Sequence, residues 1–138
     1  MELGRTRFAT SLTVRPDDID MNQHVHASRY QDYVLAARYD QMVRCYGLSM
    51  EAFLRRGLAW YVQTAHLEYK RPLKMGDDLQ VVTWVQEVFR HSVRVDFEIL
   101  RGAGGKLACD GWFQYVLVDA QTGRPEIIPD DVLRLYSV

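Results

Sequence analysis

In residues 92–99, SVRVDFEI, apolar and polar side chains alternate without a break. Val93, Val95, Phe97 and Ile99 point one way and Ser92, Arg94, Asp96 and Glu98 the other, which is the period of a strand with one buried face. This strand belongs to a series. Residues 59–70, AWYVQTAHLEYK, are rich in aromatic and β-branched residues, LKMGDD reads as a turn, and 79–88, LQVVTWVQEV, is the next strand. GAGG at 102–105 reads as a hairpin turn into a long strand reaching roughly Asp119. Strands in series with short turns predict an antiparallel, meandering sheet and argue against a parallel, doubly wound one.

Ahead of that series, Phe8 to Arg15 reads as a strand ending before Pro16, and 16–26 as a polar loop. Ser28 followed by Gln31 has capping-box spacing, which makes Ser28 the expected cap of a helix running to about Tyr46, with Gly47 closing it. Tyr30, Val34 and Ala37 fall on one face, and Leu35, Tyr39, Met42 and Tyr46 on another, as in a buried helix. Ser49 is expected to cap a short second helix through about Arg56, and Val132–Tyr136 to form a terminal helical turn. The order predicts an α+β fold with the long helix packed on one face of the sheet.

Composition narrows the class. The 138 residues are 48% hydrophobic and 25% charged, as in a globular chain, and are expected to form one domain over 1–138. A chain of this length buries about two-thirds of its unfolded surface, so it needs neither disulfides nor a structural metal. A net charge of −1 without a basic face argues against nucleic acid as a partner. Cys45 and Cys109 lie far apart and outside any CxxC pattern, which suits small core residues of a reduced compartment. The N-terminus carries no apolar run long enough for a signal peptide or a membrane span, so a cytoplasmic protein without membrane partners is expected.

The chemistry concentrates in 18–30, DIDMNQHVHASRY. Asp20 is a candidate general base or nucleophile. Asn22 and His24 follow at alternate positions, so in an extended loop all three would face one side. The helix beginning near Ala27 or Ser28 aims free backbone N–H groups and the positive end of its dipole at the same region. A carboxylate beside preorganised amide donors suits attack on a carbonyl whose oxygen gains negative charge. The same residue types also build Asx turns and caps, a role open to Asp18 and, less readily, to Asn22, while His26 suits packing or capping. His24 and His26 have no further His or Cys at ligand spacing, so no metal is expected. Ser28 lacks the GxSxG surroundings of a serine nucleophile.

The stretch VRPDDIDMNQHVHASRYQDY resembles the active-site segment of hot-dog fold thioesterases of the 4-hydroxybenzoyl-CoA and acyl-CoA thioesterase group, with Asp18, Asp20, His24, Val25 and Tyr30 carrying the match. YKRPLKMGDDLQV, FRHSVRV and LVDAQTGRPEIIP follow in that group's order. Asp20, Asn22, Gln23, His24 and Val25 are also similar to the active segment of plant-type acyl-ACP thioesterases. Their further acidic residue and cysteine are missing here, where LEYKR runs into Pro72 and Leu73, and this favours the CoA group.

The resemblance implies a hot-dog fold, an antiparallel sheet wrapped around a long central helix, and acyl-CoA hydrolysis. It makes Asp20 the nucleophile or general base, assisted by His24 and Asn22, and the N–H of Ala27 the oxyanion donor. Tyr30, Tyr33 and Trp60 become candidates for the acyl pocket. Arg90, His91 and Ser92 fall at coenzyme-contact positions, with Lys70 and Arg71 as weaker candidates. No cofactor is implied, since CoA is part of the substrate. Partners are an acyl-CoA, or an acyl carrier protein thioester, and further copies of the chain, as a homodimer and by extension a homotetramer. The long apolar strand 59–70 is the edge such an assembly would cover. Two rivals share the scaffold. A hot-dog enoyl-thioester hydratase uses D-x-N-P-x-H, from which Gln23 and the position of His24 depart, and a non-catalytic acyl-CoA-binding hot-dog protein would have no use for Asp20.

Overall fold

The computed structural model describes residues 2–102 and 105–138. Ala103 and Gly104 of the expected GAGG turn lie outside the described residues. Strand β1 (Phe8–Thr13) leads through a turn of 3-10 helix at Pro16–Asp18 into the helix α1 (Ala27–Arg44) and the short α2 (Met50–Arg55). Strands β2 (Leu58–Tyr69), β3 (Asp78–Val88), β4 (Ser92–Arg101) and β5 (Lys106–Asp119) follow, and α3 (Asp130–Tyr136) ends the chain. Ser49 caps α2 as expected, its side chain accepting from the N–H of Ala52 at 3.1 Å. Gly47, at φ 75°, turns the chain in the left-handed region after α1.

All strand pairs are antiparallel, but the sheet is not a simple meander, because its order is β1-β3-β4-β5-β2. β2 pairs with β5 rather than with β3, and the chain crosses from one sheet edge to the far side between Tyr69 and Asp78. The crossover is anchored beneath α1. Leu73 is fully buried, its N–H donates to the Tyr30 hydroxyl at 3.2 Å, and its carbonyl accepts from the N–H of Val25 at 2.8 Å.

The alternation in β4 is realised. Val93, Val95, Phe97 and Ile99 are buried with Val81, Val85, Phe113 and Leu117 on the face that α1 covers. On the helix, Tyr30, Tyr33, Val34, Ala37, Arg38, Gln41 and Met42 are buried, a stripe at i, i+3, i+4, i+7 and i+8. Gln41 fixes this face to the sheet. Its Nε2 donates to Thr10 Oγ1 at 3.1 Å and to the carbonyls of Phe8 and Val81 at 3.2 and 3.4 Å, while the Thr83 hydroxyl donates to its Oε1. The second apolar face of α1 is covered in part: Met42 and Tyr46 are buried, Leu35 is half-buried and Tyr39 is exposed.

α1 starts at Ala27 with His26 as its N-cap, and no side chain caps it. This corrects the expectation that Ser28 is the cap. The backbone sets the start instead: the N–H of His26 donates to the Asp18 carbonyl at 2.9 Å, so the chain has turned into the helix before Ser28 is reached. Among the described residues no helix is long and apolar enough to cross a membrane.

Candidate active site

Asp18 and Asp20 have different jobs. Asp18 is buried and its Oδ2 accepts from the Tyr33 hydroxyl at 2.7 Å and the Arg15 N–H at 3.1 Å. The guanidinium groups of Arg15 and Arg29 stand 3.7 Å from its Oδ1. Burial pulls its pKa up, but these donors and cations outweigh burial and hold the carboxyl below its ordinary value. Burial, and then the anionic Asp18, push the Tyr33 phenol well up. Asp18 is thus the post on which the following loop stands.

Because the folded pKa of Asp18 is depressed, its contribution is present above the unfolded value and is lost as pH falls through the folded one. Tyr33→Phe removes a hydrogen bond to a buried anion and is expected to cost about 1.5–3 kcal/mol at pH 7. In urea titrations the gap to wild type should begin to narrow below about pH 4, where Asp18 of the unfolded chain takes up a proton, and go on narrowing as pH falls through the lower folded value. A gap that stays constant down to pH 3 would assign the loss to packing rather than to the charged bond.

Asp20 opens a tight turn closed by an antiparallel bridge between Ile19 and Val25. Its N–H donates to the His24 carbonyl at 2.8 Å and its carbonyl accepts from Gln23 at 3.1 Å. Its Oδ1 accepts from the backbone N–H groups of Asn22 at 2.9 Å and His24 at 3.2 Å. The loop is therefore not extended. The Asp20 carboxylate folds it into an Asx-type turn, with Gln23 at φ 64°, a conformation that costs a non-glycine residue about 1–2 kcal/mol. Asn22 and His24 meet Asp20 through main-chain N–H groups, and their side chains are exposed.

With Oδ1 so occupied, Oδ2 has no hydrogen-bond partner among the described residues. Asp20 lines an open hollow of about 370 Å³ whose walls also include His24, Ala27, Tyr30, Tyr69 and Arg71. Ala27 is the first residue of α1, where backbone N–H groups have no partner within the helix. The Tyr69 hydroxyl donates to the Ala27 carbonyl at 3.0 Å and pins this end of the helix to the tip of β2. The carboxylate residue Asp20 and the first residue of an 18-residue helix thus line one open hollow, a layout suited to acyl transfer.

The family model described as the thioesterase-like superfamily matches residues 14–135. The chain belongs to this superfamily. Its class of reaction is thioester hydrolysis, and its sheet wrapped on a long helix is the hot-dog fold. The Escherichia coli long-chain acyl-CoA thioesterase FadM is 25% identical over 115 residues, spanning 83% of this chain and 86% of that protein. A DHNA-CoA thioesterase of Staphylococcus aureus superposes with a TM-score of 0.88 at 22% identity, over 95% of this chain and 89% of the other. A second Staphylococcus aureus protein, solved in complex with CoA, gives 0.84 at 18% identity, over 95% and 82%.

Within this thioesterase the expected site residues do not form one cluster. Asp20, His24, Ala27 and Tyr30 line the same hollow, and Lys70 and Arg71 stand at its wall. Tyr33 turns away to Asp18. Trp60 lines a different cavity, at the other end of α1, and stacks on Tyr136 with ring centroids 5.9 Å apart. Arg90 and His91 form the turn between β3 and β4 and Ser92 opens β4, where β5 and the C-terminal segment tie them down. The N–H of Ile128 donates to the Arg90 carbonyl at 3.0 Å, that of Leu117 to the His91 carbonyl at 2.8 Å, and Gln114 Nε2 to the Ser92 hydroxyl at 2.8 Å. Tyr69 was missed by sequence reasoning, although the LEYK motif carries it; as a strand-end tyrosine it gives no sign that its hydroxyl reaches a helix start.

Proposed function

We propose that the protein hydrolyses acyl-CoA thioesters at the Asp20–Ala27 hollow. The observation that carries this is the split use of the Asp20 carboxylate: Oδ1 is held by two backbone N–H groups, Oδ2 has no partner among the described residues, and Asp20 lines one hollow with Ala27, the first residue of α1. The Ala27 N–H stabilises the oxyanion as the carbonyl carbon becomes tetrahedral. Oδ2 either attacks that carbon to give an anhydride that water opens, or takes the proton from an attacking water. In both routes the C–S bond breaks, the CoA thiol leaves with a proton, and the acid is released. His24, on the wall of the hollow, orients the attacking water, and Asn22 serves through its main chain. Lys70 and Arg71 supply positive charge for CoA phosphates, with Arg90, His91 and Ser92 as the further coenzyme contacts.

The working unit in this reading is a homodimer. β2 forms one sheet edge, its 12 residues have no second neighbouring strand among the described residues, and Tyr61 on it is 64% exposed. An open edge of this length and composition invites pairing with another copy. Antiparallel pairing of two β2 strands about a two-fold axis sets the Trp60 end of one copy beside the Tyr69 end of the other. The Asp20 hollow of one protomer then meets the Trp60 cavity of its partner.

Thiol release from short, medium, long-chain and aromatic acyl-CoAs, followed with a colorimetric thiol reagent, tests the activity. Turnover on at least one class is the expected result, with sedimentation at a multiple of the 16.1 kDa chain mass. Release from none would remove the thioesterase reading, and a monomer would remove the shared site.

A further inference from the structure

The Trp60 cavity is walled by Leu35, Met42, Val62 and Val93, yet it gathers a set of unanswered hydrogen-bond donors. Arg38 Nη1, Trp60 Nε1, the Tyr115 hydroxyl and the Tyr136 hydroxyl are each buried without a hydrogen-bond partner among the described residues, and all four residues line this one space of about 270 Å³. Arg38 is 6% exposed and forms no ion pair among the described residues. Tyr46 stands beside it, its ring 5.2 Å from the guanidinium and its phenol pushed up by burial against a lowering by Arg38, but a phenol carries no counter-charge, and among the described residues no acidic one lines the cavity. Burial pushes both phenols up to about 12, so each keeps its O–H and can donate.

Buried polar groups are almost always hydrogen-bonded, and a buried cation without a counter-charge is among the costliest things a fold can hold. Four such groups in one cavity, three of them on separate elements (α1, β2 and β5) and the fourth on α3, are placed by the tertiary fold and not by a local quirk. Arginine presents a planar fork of donors that matches a carboxylate, with the indole and phenol groups positioned to complete its shell. The space is at the small end of ligand pockets, which run from about 300 Å³, and its remaining walls are apolar. A short methylene chain with a carboxylate at its far end satisfies both features.

We propose that the acyl group this enzyme accepts ends in a carboxylate, bound by Arg38 together with Trp60, Tyr115 and Tyr136. The inference rests on the thioesterase reading and on the paired-copy site, in which this cavity receives the far end of an acyl group whose thioester lies at the partner's hollow.

Length-matched CoA thioesters separate the possibilities: succinyl against butyryl, glutaryl against pentanoyl, adipyl against hexanoyl, each with wild type and Arg38→Met. At the best length, wild type is expected to favour the ω-carboxyacyl ester in kcat/KM by roughly tenfold or more, and Arg38→Met to erase or invert that ratio. Calorimetric titration of the free dicarboxylate into both proteins gives a readout independent of turnover, with binding expected in wild type and absent in the variant. Preference for the uncharged ester at every length overturns the proposal, as does a proportional loss on both esters in Arg38→Met. So does dissociation of the dimer in that variant with the ratio unchanged, because an acid of the second copy would then be the counter-charge. If no thioester is hydrolysed but the dicarboxylate binds through Arg38, the thioesterase reading fails and the cavity assignment stands. Hydrolysis without any dependence of specificity or dicarboxylate binding on Arg38 gives the reverse.

Discussion

Replacing Asp20 with asparagine is expected to lower kcat by about 10²–10⁴-fold while leaving the fold and its stability close to wild type. The structure makes this substitution unusually clean. The Asx turn uses only Oδ1, as acceptor of the Asn22 and His24 N–H groups, and an amide oxygen fills that position equally well. What is lost is the second oxygen, which has no partner among the described residues and in the proposed mechanism attacks the thioester or receives a proton. Asp20→Ala separates the two duties further. It should match Asp20→Asn in kcat but also lose roughly 1 kcal/mol of stability, because two backbone donors lose their acceptor. Rates from the thiol-release assay and urea midpoints on the same preparations check both halves. Full activity in Asp20→Asn would mean that the chemistry lies elsewhere, and equal stability of the two variants would mean that the turn does not depend on the side chain.

How much of this was written in the chain depends on the range of the interaction. The strict alternation over 92–99 dictates a one-sided strand wherever it is placed, and β4 buries Val93, Val95, Phe97 and Ile99 accordingly. The pairing of β2 with β5 was not legible, since both β2 and β3 read as good strands and nothing local states which neighbour each takes. That choice is made by Leu73 under α1, a contact between segments 43 residues apart at the Tyr30 hydroxyl. The helix start misled for a similar reason. Ser28 and Gln31 have the spacing of a capping box, but a backbone bond from His26 to Asp18 decides where the helix begins.

The site divides along the same line. Asp20 and Ala27 were readable together because they are close in sequence and their chemistry is local: a carboxylate beside a helix N-terminus. The loop between them was read as extended because alternation is the default for an irregular polar segment, and the turn comes from the Asp20 side chain capping its own backbone. Arg38 gave no signal at all. An arginine in a helix normally faces water, and the tyrosines that share its cavity, Tyr115 and Tyr136, arrive from the far end of the chain.

Ala27→Pro tests the other half of the proposed chemistry, a main-chain donor that no side-chain scan would find. Proline has no N–H, yet the first position of a helix tolerates it, because that N–H has no partner within the helix. Proline also requires the preceding residue to stay out of the helical region, and His26 already sits at φ −53°, ψ 137°. The Ala27 carbonyl keeps its bond from the Tyr69 hydroxyl, so the helix end stays pinned to β2. The expected result is a fall in kcat of about 10²–10³, or about 2.7–4 kcal/mol of transition-state stabilisation, with thermal unfolding near that of wild type. Ala27→Gly, which retains the N–H, serves as the control and should stay within a few-fold of wild type. A proline variant as active as the glycine one would move the oxyanion donor away from Ala27, to Ser28 or beyond. A loss shared by both variants would show that the methyl group, and not the amide, is what the site needs.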